Sequence, residues 1–183
     1  AALTAASARP MLLSRTNIGD IEQLGGFSIQ RGSLNDRGDM AFFANYTRSR
    51  IFQSGLFRYT NGNFDLVASV RDSLPGLEGP VTITSFGLDN SGAVWFAAQT
   101  ATTTPKSALF RKSGFGTPER LIGSGDSLSG VIVQSVGGLA VDRTGGAAFI
   151  ATMAGGAQQL VRIQGNTRTS IAAQVNEVLS AGP

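Results

Sequence analysis

Short apolar runs broken by turn residues dominate the chain. In the first third they fall near 27–34, 40–46, 55–60 and 64–70, each rich in Phe, Val, Ile, Leu and Tyr. Runs of this length and composition predict β-strands. The breaks carry their own chemistry. Asn35-Asp36-Arg37-Gly38 predicts an Asx-type turn, in which the side-chain oxygen accepts a nearby backbone N–H and Gly supplies positive φ. Asn61-Gly62 predicts a two-residue type I′ hairpin turn, which needs positive φ at both central positions. No window carries a sustained helical period with caps, so little or no helix is predicted.

The same pattern returns twice. Leu34-Asn35-Asp36-Arg37-Gly38-Asp39-Met40-Ala41-Phe42-Phe43-Ala44 aligns with Leu88-Asp89-Asn90-Ser91-Gly92-Ala93-Val94-Trp95-Phe96-Ala97-Ala98, and with Val141-Asp142-Arg143-Thr144-Gly145-Gly146-Ala147-Ala148-Phe149-Ile150-Ala151. Gly38, Gly92 and Gly145 share one slot, Asn35, Asp89 and Asp142 a second, and Phe42, Phe96 and Phe149 a third. A further block follows in phase: Gly55-Leu56-Phe57-Arg58, Ala108-Leu109-Phe110-Arg111 and Gln159-Leu160-Val161-Arg162. The closing block leads to Asp72, Asp126 and Asn176, and it also occurs once in advance, at Met11–Asn17. Self-similarity at a period near fifty residues marks stacked units that bury their apolar faces on one another.

The second strand of each unit is nearly continuous in apolar residues, as in Val94-Trp95-Phe96-Ala97-Ala98. Such a strand is expected to be covered on both faces. The predicted fold is therefore all-β and propeller-like: about three four-stranded antiparallel blades plus one leading strand. Residues 1–10 are expected to form a flexible N-terminal segment and 11–183 one repeat domain. Its units run over about 18–72, 73–126 and 127–176, with the leading strand at 11–17. A β-sandwich of about thirteen strands is the competing architecture. Propeller rings close with about 4–8 blades, so three blades leave two apolar faces uncovered. The expected partners are a second copy of the chain or further repeats of a longer one.

Asn35-x-x-Gly38-x-x-Ala41-Phe42 resembles the signature of the bacterial tandem-repeat proteins named for the NxxGxxAF motif. The second unit departs to Asp89-x-x-Gly92-x-x-Trp95-Phe96, the third to Asp142-x-x-Gly145-x-x-Ala148-Phe149. The resemblance extends over residues 11–176. It implies a secreted or surface-anchored bacterial repeat protein, and it brings no catalytic residues with it.

Composition narrows the chemistry. The 183 residues include no Cys and no His, which excludes disulfides, Cys or His metal ligands and any triad that uses an imidazole base. A net charge of +3 comes from arginines spread from Arg9 to Arg168, without the dense cluster of a phosphate-tracking surface, so no nucleic-acid partner is expected. No run reaches the roughly 18 apolar residues of a membrane helix. Ala1–Ala8 has neither an initiator Met nor a basic region, and is expected to be the remnant of cleavage or the edge of a longer segment.

The acidic turn residues Asn35, Asp36, Asp39, Asp89 and Asp142 supply too few oxygens per turn for a calcium loop and are assigned to turn stabilisation; no cofactor is expected. Arg58, Arg111 and Arg162 are expected to bridge to repeated acids such as Asp72 or Asp126. Arg37-Gly38-Asp39 matches an adhesion tripeptide, but its Gly serves the turn slot. Trp95 is expected in the core. Ligand contacts are expected on the equivalent second-to-third-strand loops, at Tyr46, Arg48 and Arg50 and at Thr102 and Thr103, where a glycan or other surface ligand would bind. The expected function is a non-enzymatic extracellular binding or scaffold module. The alternative is a polysaccharide hydrolase or lyase using Asp, Arg and Tyr.

Overall fold

The computed structural model describes residues 20–164 and 167–171. The expected leading strand 11–17, the segment 1–10 and Asn176 lie outside the described residues. Within them the chain is all-β, without helix. A first antiparallel sheet contains β1 (Ile21–Ser28), β2 (Met40–Arg48), β3 (Ile51–Thr60) and β4 (Asn63–Ser69) in chain order. A second contains β5 (Val81–Leu88), β6 (Val94–Thr100), β7 (Ser107–Lys112) and β8 (Glu119–Gly123). The third adds the short β9 (Ser127–Leu128) to β10 (Val131–Val141), β11 (Gly146–Met153), β12 (Gln158–Gln164) and β13 (Thr167–Ile171). Three separate sheets replace the two broad slabs of a sandwich.

Turn chemistry sets the registers. Asn61 and Gly62 have φ of 50° and 81° and close β3 onto β4 with Thr60 opposite Asn63. One strand departs from expectation: the first lies at 21–28, not 27–34. Gly25-Gly26 does not end it, because Gly26 (φ 61°) absorbs a β-bulge between Gly25 and Ser28. The chain turns after Ser28, where Ser33 N donates to Gln30 O at 3.1 Å. Gly137-Gly138 sits in a matching bulge on β10.

Alternation along β2, β6 and β11 assigns each sheet two faces. Phe96, Val94 and Ala98 of the second sheet pack on Ala41 and Leu56 of the first, with Phe110, Leu74 and Leu77 in the same cluster. Trp95 and Leu109, on the second sheet's other face, pack with Phe149, Ala147, Ala151 and Val161 of the third. The second sheet is thus covered on both sides, which explains its continuous apolar strand. Complete burial of each such Phe is worth about 1.5–3 kcal/mol.

The end sheets differ from expectation. Phe42, Tyr46 and Phe57, on the far side of the first sheet, are buried in a third cluster, with Phe27 and Phe64 edge-on to Phe42. Among the described residues the far face of the third sheet is the open one: Leu160 is 38% exposed, whereas Leu56 and Leu109 at the same position are at 0%.

Candidate functional site

Each strand pair β1–β2, β5–β6 and β10–β11 is joined by the same turn. Asn35 Oδ1 accepts from Arg37 N (3.0 Å) and Asp39 N (2.9 Å), Asp89 Oδ1 from Ser91 N (2.8 Å) and Ala93 N (3.1 Å), and Asp142 Oδ1 from Thr144 N and Gly146 N (2.8 Å each). One carboxylate or amide oxygen thereby satisfies two backbone donors that the turn leaves unpaired. Gly38, Gly92 and Gly145 have φ of 80°, 84° and 89°, a region closed to most L residues. Close approach adds a second constraint at Gly92, where a Cβ would stand 2.8 Å from Arg37 Nη2 of the preceding sheet's turn.

These three turns meet at one end of the molecule. Asn35 Nδ2 donates to Asp89 O at 3.0 Å, and Asn90 N to Arg143 O at 3.1 Å. The residues that follow Asn35, Asp89 and Asp142 form a triangle: Asn90 Nδ2 reaches Asp36 Oδ2 at 2.8 Å, and Arg143 Nη1 reaches Asp36 Oδ1 at 2.6 Å. Asp89 is wholly buried, its second oxygen taking Trp95 Nε1 at 3.0 Å with Arg111 Nη2 at 3.8 Å. Arg111 also lies over the Trp95 ring, 5.1 Å from its centroid.

The repeated arginines do not pair with Asp72 and Asp126. Arg111 and Arg162 reach the motif acids Asp89 and Asp142 of their own sheets, at 3.8 and 3.7 Å. In the first sheet that slot is the neutral Asn35, and Arg58 takes Asp65 at 2.9 Å instead, while also donating to Gly92 O (2.8 Å) and Gly114 O (2.7 Å) of the second sheet. Lys112 crosses back to Asp65 (3.2 Å) and Leu66 O (2.9 Å). Asp126 is held by Arg120 at 2.8 Å, and Asp72 accepts from Ser69 N at 3.3 Å to close its own loop. These buried partners of Arg58 lie in single sheets, so no repeat signal marks them.

Asp39 and Asp142 titrate below the usual carboxylate range. Burial would raise Asp39, but hydrogen bonds from Asn35, Thr60 and Arg37 and the Arg37 charge outweigh it. For Asp142, burial is outweighed by hydrogen bonds from Gly146 and Thr144 and by Arg162. Asp39 is buried beneath Arg37, which bonds it at 2.6 Å, so the adhesion-like tripeptide is folded onto itself.

The opposite end carries the residues expected to meet a ligand. Segment 46–50 is not a loop. β2 continues to Arg48, β3 starts at Ile51, and only Ser49 and Arg50 turn, at φ of 50° and 62°. Tyr46 points into the first sheet's aromatic cluster, its ring edge-on to Phe57, and is removed from any ligand surface. Burial, first among several influences, pushes its hydroxyl pKa up. Arg48 is tied to Asp20 at 2.6 Å. Thr102 and Thr103 are exposed on the loop after β6. Thr100, Thr102 and Thr104 line a pocket of about 300 Å³ with Gly76, Glu78 and Lys106, but Thr102 Oγ1 already bonds Thr104 O (3.0 Å) and lies 3.1 Å from Thr100 Oγ1. A second pocket, of about 260 Å³, lies beside the β2–β3 turn against Phe52, a residue the sequence pattern does not single out. Among the described residues no three acidic side chains gather as a metal-binding group.

The chain belongs to a family of unknown function (DUF7453), whose model matches residues 20–179. No curated protein matches the sequence.

Proposed function

We propose that this chain is a non-enzymatic binding or scaffold module of a bacterial extracellular or cell-surface protein, built in propeller fashion and completed by further sheets of the same kind. One observation carries this. Ala148, Ile150, Leu160 and Arg162 occupy on the third sheet the positions by which Ala41, Phe43, Leu56 and Arg58 of the first hold the second. Side-chain exposure of the three arginines rises from 4% at Arg58 through 26% at Arg111 to 48% at Arg162. A fourth sheet, from a longer chain or a second copy, would cover Leu160 and offer Arg162 a motif carbonyl, as Gly92 offers one to Arg58.

The turn end supports a scaffold role, since its acids are engaged in holding sheets together. The acids named for hydrolysis are already engaged: Asp36 has both oxygens bonded to Asn90 and Arg143, and Asp89 is sealed from solvent. Sedimentation equilibrium over a wide concentration range tests the assembly. Self-association abolished by Leu160→Lys assigns the fourth sheet to a second copy. A monomer whose β11–β12 amides gain protection only when the chain is extended by its native continuation assigns it to a longer chain. A monomer unchanged by either comparison contradicts the proposal.

A further inference from the structure

We infer that the pocket beneath the β2–β3 hairpin is a saccharide subsite, with Phe52 as the platform for one sugar ring; this rests on the binding-module proposal above and gives it a ligand class. Phe52 is 66% exposed, at the free end of a hairpin, where an aromatic ring gains nothing from burial in its own fold. It lines the pocket together with Gln23, Asn45, Thr47, Leu24 and the Gly25-Gly26 bulge. Phe52 pairs with Thr47 across the hairpin, which sets the ring beside a hydroxyl.

The polar groups of this pocket are neutral, and among the described residues most of them are free to bond. Ser54 Oγ donates to Asn45 Oδ1 at 2.7 Å, and the Nδ2 end of that amide lies over Gly26, where any Cβ would meet it at 2.6 Å. Asn45 Nδ2, Thr47 Oγ1 and the Gln23 amide have no hydrogen-bond partner among the described residues. Gly26 leaves the room that the Asn45 amide fills, so the cradle depends on the absence of a side chain there. An aromatic face flanked by amides and a hydroxyl complements a pyranose, which has one C–H face and a rim of groups that both donate and accept. Among the described residues no charged side chain lines the pocket, which favours a neutral sugar over a uronic acid or an amine. At about 260 Å³ it takes about one ring, just under the range of about 300–1,000 Å³ common for drug-sized ligands.

The hairpin is braced for such a task. Arg48 pairs with Asp20 at 2.6 Å, and Glu22 Oε2 accepts from Arg50 N at 3.3 Å, so the pocket wall is fixed from β1. Ser49 and Arg50, neither a glycine, both hold positive φ, and backbone strain of this kind concentrates at binding sites.

The test uses the whole chain and a panel of neutral oligosaccharides, the gluco-, manno-, xylo- and N-acetylglucosamine tetramers, read by saturation-transfer NMR and calorimetry. The proposal expects at least one to bind, with affinity lowered about tenfold or more by Phe52→Ala, retained by Phe52→Trp and reduced by Asn45→Ala. Phe52→Ala removes an exposed ring, so its thermal midpoint should stay close to wild type and unfolding cannot imitate the loss. Saccharide binding unaffected by Phe52→Ala overturns the subsite while leaving the binding module in place elsewhere on the surface. Absence of binding to every member of the panel overturns the saccharide assignment, whereas the assembly proposal stands or falls separately on Leu160→Lys.

Discussion

Replacing Asp89 by Ala removes the acceptor for five contacts at the meeting point of the sheets. Ser91 is exposed, so its N–H and hydroxyl recover water at little cost. Trp95 Nε1 and Ala93 N are buried and cannot. An unsatisfied buried donor costs about 1–3 kcal/mol, and hydrogen bonds to a charged acceptor are worth more than neutral ones. Loss of the Arg111 interaction adds to this, giving about 3–5 kcal/mol in all. The same change at Asp142 exposes its donors to solvent, because the side chain is already 40% accessible, and should cost about 1 kcal/mol, the scale of a lost turn cap. Asp89→Asn should fall between, at about 1–2 kcal/mol, since Asn35 shows that an amide oxygen can fill the slot. Urea titrations give the three values from midpoints at common slope. At about 2–4 °C per kcal/mol, Asp89→Ala should lower the melting temperature by roughly 6–20 °C. Equal losses at Asp89 and Asp142 would refute the reasoning, because Asp89 differs by its burial between sheets and by the Trp95 donor it alone accepts.

Three further outcomes follow from the geometry. Arg58→Met strands the buried carbonyl of Gly92 and leaves Asp65 to Lys112 alone, and should cost about 2–4 kcal/mol by urea titration; a cost below that of an exposed Arg31→Met control would contradict the buried lacing. Substituting Ser49→Asn with Arg50→Gly relieves two left-handed non-glycine residues and should raise stability by about 1 kcal/mol, an unchanged midpoint arguing against strain. Asp39 and Asp142 have folded pKa values below their unfolded ones, so the stability they supply is fully present above about pH 4–5 and is lost as pH falls through the depressed folded values. Thermal midpoints should therefore drop on acidification below about pH 4, less steeply in Asp39→Asn, and an identical acid limb in that variant would remove Asp39 from the explanation.

Much of the fold is written locally. The Asx turns at Asn35, Asp89 and Asp142 and the Asn61-Gly62 hairpin depend on side chains within four residues, so short-range chemistry reveals them. The unbroken apolar run of β6 likewise announces a strand covered on both faces. What the sequence hides is set by packing. Gly25-Gly26 reads as a break, yet it is a bulge inside β1, because only the pairing with β2 fixes its register. Arg58 pairs with Asp65 and not with a repeated acid, since the choice follows from a neutral Asn35 in the slot that Asp89 and Asp142 fill elsewhere. Tyr46 looks like a loop residue until the two-residue turn at Ser49-Arg50 extends the hairpin and swings it inward. Phe52 carries no periodic signal at all; its exposure follows from the hairpin's length.

The central claim is that three sheets stack in chain order, the second enclosed and the third with an outer face left bare among the described residues. Native-state hydrogen exchange resolved by residue tests it most directly. Amides of β6 and β7 should exchange only through global unfolding, with free energies equal to that from urea, while amides of β11 and β12 should open locally at lower free energy. A third sheet as strongly protected as the second in the isolated monomer would contradict the account.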